Sequence, residues 1–314
     1  MRVVSLLPSG TEILFALGLD KEIAGVSHEC DFPGAARSKP VVIQSRIPKG
    51  TPPLEIDRMV RDFVSRAESL YAVDADLLER LSPDLIVTQD LCHVCAASPD
   101  DLAAALARFE RPPEVLCLNP QTLGDVWRDI LWVGEETCNG ARAERLVEQI
   151  GQKLAVIEQQ VHATRERPRV AFLEWLQPFY VGGHWVPEMI EIAGGRDVLG
   201  KPGTPSFRVT MEEIIDAAPE LIVVAPCGYS AEQARDEYRS LRFPDEWHAI
   251  PAVRNGQVFA LEANSYFSRP GPRLVTGVEI LARVFHPSVA VHPQSGPAVL
   301  RVATAARAAR AFSA

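Results

Sequence analysis

The sequence predicts an α/β protein built from two similar lobes joined by one long helix. Three observations carry this. Strand-like apolar runs alternate with amphipathic helical runs over residues 1–123 and again over 168–286, the pattern of largely parallel sheets covered by helices. Between these stretches, from about Gly124 to Arg165, there is no strand signal. Two segments from different halves also echo each other. DADLLERLSPDLIVTQD and TMEEIIDAAPELIVVAP both read as a helix, a turn at proline and a buried strand.

The first lobe opens with RVVSLLP as a strand. SGTEILFALGL follows as a helix, with Ser9 or Thr11 as candidate caps and Gly18 near its end. EIAGVSHECDFP is a second strand running into a loop, and DADLLERLSPDLIVTQD is helix, turn at Pro83 and strand. SPDDLAAALARF is a capped helix and PEVLCLNP the next strand. GARAERLVEQIGQKLAVIEQQVHATRER is rich in helix formers. Its apolar Leu146, Ile150, Leu154 and Ile157 recur at three- and four-residue spacing, which predicts one helix of roughly 25 residues, ~38 Å long.

In the second lobe, PRVAFLEWL is a strand, PEMIEIAGG a helix ending at glycine, and TMEEIIDAAPELIVVAP helix, turn and strand. NGQVFALEA is a strand and GPRLVTGVEILARVF a helix. The expected organisation is therefore a Rossmann-like lobe over 1–123, a helical linker over 124–167, a second Rossmann-like lobe over 168–286 and a loosely structured tail over 287–314.

A chain of 314 residues that is 47% hydrophobic can bury a large core. Its net charge of −9 argues against a nucleic-acid binder, which needs a basic face. No apolar run is long enough to cross a bilayer as a helix. The N-terminus lacks the basic region, apolar run and small-residue cleavage site of a signal peptide. Read as given, this start implies a cytoplasmic protein; a start further upstream would imply the periplasm or the cell surface. With that start, the six cysteines read as reduced thiols rather than a disulfide framework. Cys117, in EVLCLN, reads as a small buried hydrophobe.

In parallel α/β sheets, ligands bind at loops beyond the carboxyl ends of the strands. In the first lobe this rule selects Pro8 and Ser9, then His28 and Glu29, then Gln89 with Cys92 and His93. In the second it selects Trp175, Tyr180 and Trp185, then Tyr229, then Tyr266, Phe267 and Arg269. Aromatic residues crowd these second-lobe loops, and rigid flat side chains suit a large planar ligand. Packing between elements is the plain alternative for each ring.

The matching stretches RVVSLLPSGTEILFALG, IAGVSHECDFP, LLERLSPDLIVTQ, IEIAGG, TMEEIIDAAPELIVVAP and PRLVTGVEIL, with the long helix between them, give the chain a family resemblance over about residues 1–286. It resembles the substrate-binding proteins of ABC importers for cobalamin, haem and iron-siderophores, and its N-terminal stretch is most similar to the cobalamin binders. The resemblance implies a rigid linking helix and a ligand cleft between the lobes. The implied ligand is cobalamin or another corrinoid, with haem or a ferric chelate as alternatives. It also implies no required cofactor, no catalysis, a monomer and an ABC permease as partner. In this family one acidic residue per lobe docks on the permease, seven residues before the proline that precedes a strand. Those positions are Asp76 and Glu212 here.

The motif C-H-V-C adds Cys92, His93 and Cys95 to a loop beside His28 and Cys30. Three readings stay open: a cleft wall without metal, a ligand set for a metal or for corrinoid cobalt, and a redox or disulfide pair. Two functions follow. In the first, the chain binds a metal chelate and does no chemistry, in keeping with a sequence that lacks a Ser-His-Asp order, a phosphate loop and a G-x-G-x-x-G motif. In the second, it is a metal-handling protein or metalloenzyme on the same fold, using His28, Cys30, Cys92, His93 and Cys95.

Overall fold

The computed structural model describes residues 1–48, 50–66, 68–89, 99–164, 166–289 and 298–302. The chain divides into two units, Met1–Pro120 with Gly124–Glu148, and Gln121–Leu123 with Gln149–Ala314.

The first unit runs β1 (Val3–Ser5), α1 (Pro8–Ala16), β2 (Ile23–Ser27), β3 (Val41–Ser45), α2 (Pro53–Ser65), β4 (Tyr71–Val73), α3 (Ala75–Leu81), β5 (Leu85–Gln89), α4 (Pro99–Leu106), β6 (Glu114–Leu118) and α5 (Leu123–Glu136). The long helix α6 (Gly140–His162) then continues unbroken from Glu148 into Gln149. The sheet order is β4-β3-β2-β1-β5-β6, parallel throughout except for antiparallel β3 and β4. The order reverses between β1 and β5, so the loops after these strands flank a topological switch point. Strand β5 (LIVTQ) is buried at every position, as a central parallel strand covered on both faces must be.

Helix α1 departs from the expected capping. Its N-cap position is Leu7 and no side chain caps it. Pro8 opens the helix, where its missing N–H costs nothing. Ser9 is buried, and the Thr11 hydroxyl donates instead to Cys30 Sγ at 3.0 Å. At the other end, Arg142 near the start of α6 donates to the Leu17 carbonyl at 2.8 Å. A Cβ on Gly18, whose φ is +75°, would lie 2.8 Å from that guanidinium.

The second unit runs β7 (Arg169–Leu176), β8 (Phe179–Val181), α7 (Val186–Ile192), β9 (Arg196–Asp197), β10 (Phe207–Arg208), α8 (Met211–Asp216), β11 (Leu221–Val224), α9 (Ala231–Ser240), α10 (Asp245–Ala249), α11 (Pro251–Arg254), β12 (Val258–Leu261), α12 (Ala263–Tyr266), α13 (Leu274–Phe285) and β13 (Val299–Arg301). Its order is β10-β8-β7-β11-β12-β13, with β9 beside the start of β7. The pairs β7–β11, β11–β12 and β7–β9 are parallel; β7–β8, β8–β10 and β12–β13 are antiparallel. This sheet is therefore more mixed than the sequence pattern predicts. The expectation of a loose tail over 287–314 is also corrected in part, because Val299–Arg301 pair with β12 as an edge strand. Three residues carry too short a pattern to read from sequence.

The halves that echo in sequence also echo in backbone. Helices α3 and α8 carry N-caps, Asp74 accepting from Leu77 N and Thr210 from Glu213 N. Each is followed by a left-handed residue just before proline, Ser82 at φ 44° and Ala218 at φ 41°. The strand that follows is then clipped to the unit's first strand in the same way. Arg2 N donates to Asp84 Oδ2 at 2.6 Å while Asp84 N donates to Arg2 O at 2.8 Å. Arg169 N donates to Glu220 Oε2 at 2.8 Å while Glu220 N donates to Arg169 O at 2.8 Å.

The first unit's core gathers Val4, Leu6, Ile43, Leu78, Ile86 and Leu102. The second unit's core includes an aromatic stack around fully buried Trp247, which lies 4.4 Å from Phe243 and 5.7 Å from Phe179 between ring centroids. Its indole N–H donates to the Tyr238 hydroxyl at 2.9 Å.

Candidate functional site

In the first unit, the loop selected after β2 is held from behind. His28 Nδ1 donates to the Ile43 carbonyl at 3.1 Å, Nε2 lies 3.2 Å from Glu29 Oε1, and the ring tilts against Tyr71 at 6.4 Å. Glu29 is exposed and His28 half-buried, whereas Ser9, Cys30 and Gln89 are buried. Pro8 is half-buried at the start of α1. Cys92, His93 and Cys95 lie outside the described residues. Of the five side chains in the metal reading, the structure thus positions two: Cys30 takes the Thr11 hydroxyl, and His28 is engaged at both nitrogens. Among the described residues no three His, Cys, Asp or Glu side chains form a metal-sized group.

In the second unit the selected loops form one connected surface at the carboxyl ends of β7, β11 and β12. The rings of Trp175 and Tyr229 meet edge to face, 5.9 Å apart with planes at 68°, and both are half-buried. Trp175 is fixed by its N–H donating to the Gln177 carbonyl at 3.1 Å, and Tyr180 sits opposite it on β8. The Tyr229 carbonyl accepts from Ala263 N at 3.1 Å, which ties the loop after β11 to α12. Cys227 N donates to the Glu174 carbonyl, and Ser206 Oγ donates to the Glu174 carboxylate at 2.8 Å.

Behind Tyr229 lies Glu237. Burial raises its carboxyl above the ordinary range, opposed by interaction with the Tyr229 hydroxyl. Burial likewise raises the phenol of Tyr229, and the neighbouring Glu237 carboxyl raises it further. Among the described residues neither carboxyl oxygen has a partner in full hydrogen-bond geometry, so the phenol is in electrostatic reach but poorly aligned.

The remaining selected residues sit deeper. Trp185 is 5% exposed, and its N–H donates to the Phe267 carbonyl at 2.8 Å. Phe267 packs on Phe172 at 5.4 Å, and Arg269 is buried. Tyr266 is half-buried, with the Arg273 guanidinium 5.8 Å over its ring. The aromatic set therefore splits into an accessible group, Trp175, Tyr180, Tyr229 and Tyr266, and a supporting group, Trp185 and Phe267.

Next to Trp185 is a residue the sequence reading passed over. His184 holds φ +50° without being glycine, and its ring stacks on Trp185 at 5.5 Å. Its N–H donates to the Thr204 carbonyl at 2.6 Å and its carbonyl accepts from Gly203 N at 3.0 Å. The approach is so close that a Cβ on Gly183 would lie 2.4 Å from Thr204 O. That close approach explains Gly183, and Gly182, whose Cβ would lie 2.7 Å from Val186 Cγ1, completes the glycine pair before His184, the one local signal in the sequence. Its side-chain partner, Gln121, is 63 residues away and leaves no local trace.

The two acids expected to dock a partner occupy equivalent first-turn positions of α3 and α8, and both are exposed. Asp76 is paired with Arg108.

A family model described as periplasmic binding protein matches residues 3–264. The chain belongs to this family. It is 23% identical over 286 residues to a vitamin B12-binding protein of Photorhabdus laumondii, covering 90% of this chain and 87% of that one. It is 24% identical over 296 residues to the uncharacterised ABC transporter substrate-binding lipoprotein YvrC of Bacillus subtilis, covering 91% of this chain and 80% of that one. In structure it resembles a periplasmic haem-binding protein from Pseudomonas aeruginosa, with a TM-score of 0.71 at 20% identity, covering 96% of this chain and 98% of the other. Family and fold agree with the α/β, parallel-rich architecture. No helix among the described residues is long and apolar enough to cross a membrane.

Proposed function

We propose that this chain is the substrate-binding component of an ABC importer and that its ligand is a corrinoid, cobalamin-like, or a related planar metal chelate. The observation that carries the proposal is the Trp175–Tyr229 pair. Two rings held edge to face, half-open at the carboxyl ends of β7 and β11, offer a rigid apolar wall to a macrocycle. Tyr180 and Tyr266 extend that wall, while Trp185, Phe267 and Arg269 hold it from behind. In the first unit, the loops after β1, β2 and β5 carry the candidate ligand residues Pro8, Ser9, His28, Glu29 and Gln89.

Relatives that bind vitamin B12 or haem by name, and one named as an ABC transporter lipoprotein, support the ligand class and the role. The role needs a permease as partner, no cofactor of the protein's own and no catalytic step. It also places the protein's action on the outer side of the cytoplasmic membrane. The test is calorimetry of the purified protein with cobalamin, cobinamide, haem and ferric chelates. Binding of at least one with micromolar or tighter affinity is expected; no binding to any of them overturns the proposal.

A further inference from the structure

We propose that His184 Nε2 is the axial ligand to the metal of the bound chelate. The inference rests on the function proposed above and names the contact that reads the metal itself. Three features of the side chain lead to it. Gln121 presents its carboxamide oxygen to Nδ1 at 3.1 Å; an oxygen only accepts, so the proton is on Nδ1 and the lone pair on Nε2. Nε2 itself makes no hydrogen bond among the described residues. Burial pushes the imidazole's proton affinity down, which keeps the ring neutral and able to coordinate. A metal-binding histidine needs this arrangement: the far nitrogen held by an oxygen acceptor, the near one free.

The backbone gives a fourth feature. A β-carbon at φ +50° is strained, and such strain persists where the surrounding structure imposes it, most often at functional positions. Here it is imposed by both backbone bonds of His184 to the 203–204 turn. The position is also continuous with the aromatic wall. The 203–206 turn that grips His184 reaches Glu174 through Ser206, one residue before Trp175. Trp185, on which the imidazole stacks, is bonded to Phe267, and Ala263 of the same segment is bonded to Tyr229. Coordination changes no oxidation state. The Nε2 lone pair fills an axial position, the water or weak ligand there leaves, and the proton stays on Nδ1.

The test compares wild type with His184→Gly, a residue that adopts φ +50° without strain. Each is titrated with haemin, aquocobinamide and metal-free protoporphyrin, followed by absorbance. Wild type should give the bands of imidazole-ligated metal with the first two. His184→Gly should lose those bands and bind both about tenfold more weakly, while metal-free protoporphyrin binds both proteins alike. Added imidazole should restore the bands in the variant. If His184→Gly does not fold, His184→Asn, which also tolerates this backbone, takes its place. Identical spectra in wild type and variant overturn the axial ligand but leave the binding function standing. Failure of wild type to bind any of the three overturns both.

Discussion

The Arg108 guanidinium lies 2.7 Å from Oδ1 of Asp76, the acid that stands where the family pattern places a docking residue. The same guanidinium reaches Glu79 at 2.7 Å, while Glu212, the equivalent acid of the second unit, has no ion-pair partner among the described residues. Both acids also favour their helix N-termini through the helix dipole, so position alone does not distinguish docking from capping. Charge reversal does. Asp76→Lys with Glu212→Lys should abolish binding to the partner permease, measured in detergent or nanodiscs, and leave chelate affinity unchanged. Arg108→Ala should leave docking intact or strengthen it, because Asp76 is then unshared. Docking that survives the double reversal would reduce both acids to helix-start residues.

Trp175→Ala and Tyr229→Ala should each weaken chelate binding by about tenfold, the order expected for losing one buried aromatic face. The thermal midpoint should move little, since both rings are half-exposed. Trp185→Ala should behave differently. It removes a buried ring and strands the Phe267 carbonyl, so a loss of about 3 kcal/mol in stability is expected before any change in affinity. Paired denaturant and titration curves separate the two patterns.

Gly277→Ala tests how tightly α13 fixes the wall. A Cβ there would lie 2.3 Å from the Tyr266 carbonyl and 2.6 Å from Met189 Cε. The backbone atom cannot yield as a side chain can, so α12 and Tyr266 must shift. A loss of about 1–3 kcal/mol in stability is expected, together with weaker chelate binding. Unchanged values in both assays would mean that Tyr266 has no part in the site.

Asp129 on α5 has its carboxyl pushed up to about 7, first by burial and then by neighbouring Asp125, with Arg128 opposing. The folded state thus holds a proton that the unfolded chain releases near pH 4. Stability should fall as pH rises from about 4 to 7 and level off above that. Asp129→Asn should remove this slope and stabilise the protein by on the order of 1 kcal/mol at pH 8. Denaturant midpoints across that range measure it. A wild-type profile that stays flat between pH 4 and 7 would count against the carboxyl's burial.

The parts of the fold legible in the sequence were those with strong local patterns. Strands β1, β5, β7 and β11 are apolar runs, and α6 repeats Leu146, Ile150, Leu154 and Ile157 over about three turns. Residues 41–73 went unread because β3 buries only two of its five residues and β4 is three residues long. The β8–β10 pair and β13 are likewise two or three residues each, and their pairing partners decide them. At the site, the loops were predictable from the rule for carboxyl ends of parallel strands. Which rings stay open was not. Trp185 is buried because a carbonyl 82 residues away accepts its N–H, and His184 stands out only through a backbone angle and a partner 63 residues distant.

The stack around Trp247 gives the protein an internal optical probe. An indole with no exposed surface, flanked by Phe243 and Phe179, emits from an apolar environment, whereas Trp132 on α5 is 42% exposed. With Trp175 and Trp185 changed to phenylalanine, Trp247 becomes the second unit's one tryptophan, and its short-wavelength emission follows the melting and refolding of that unit with no dye attached.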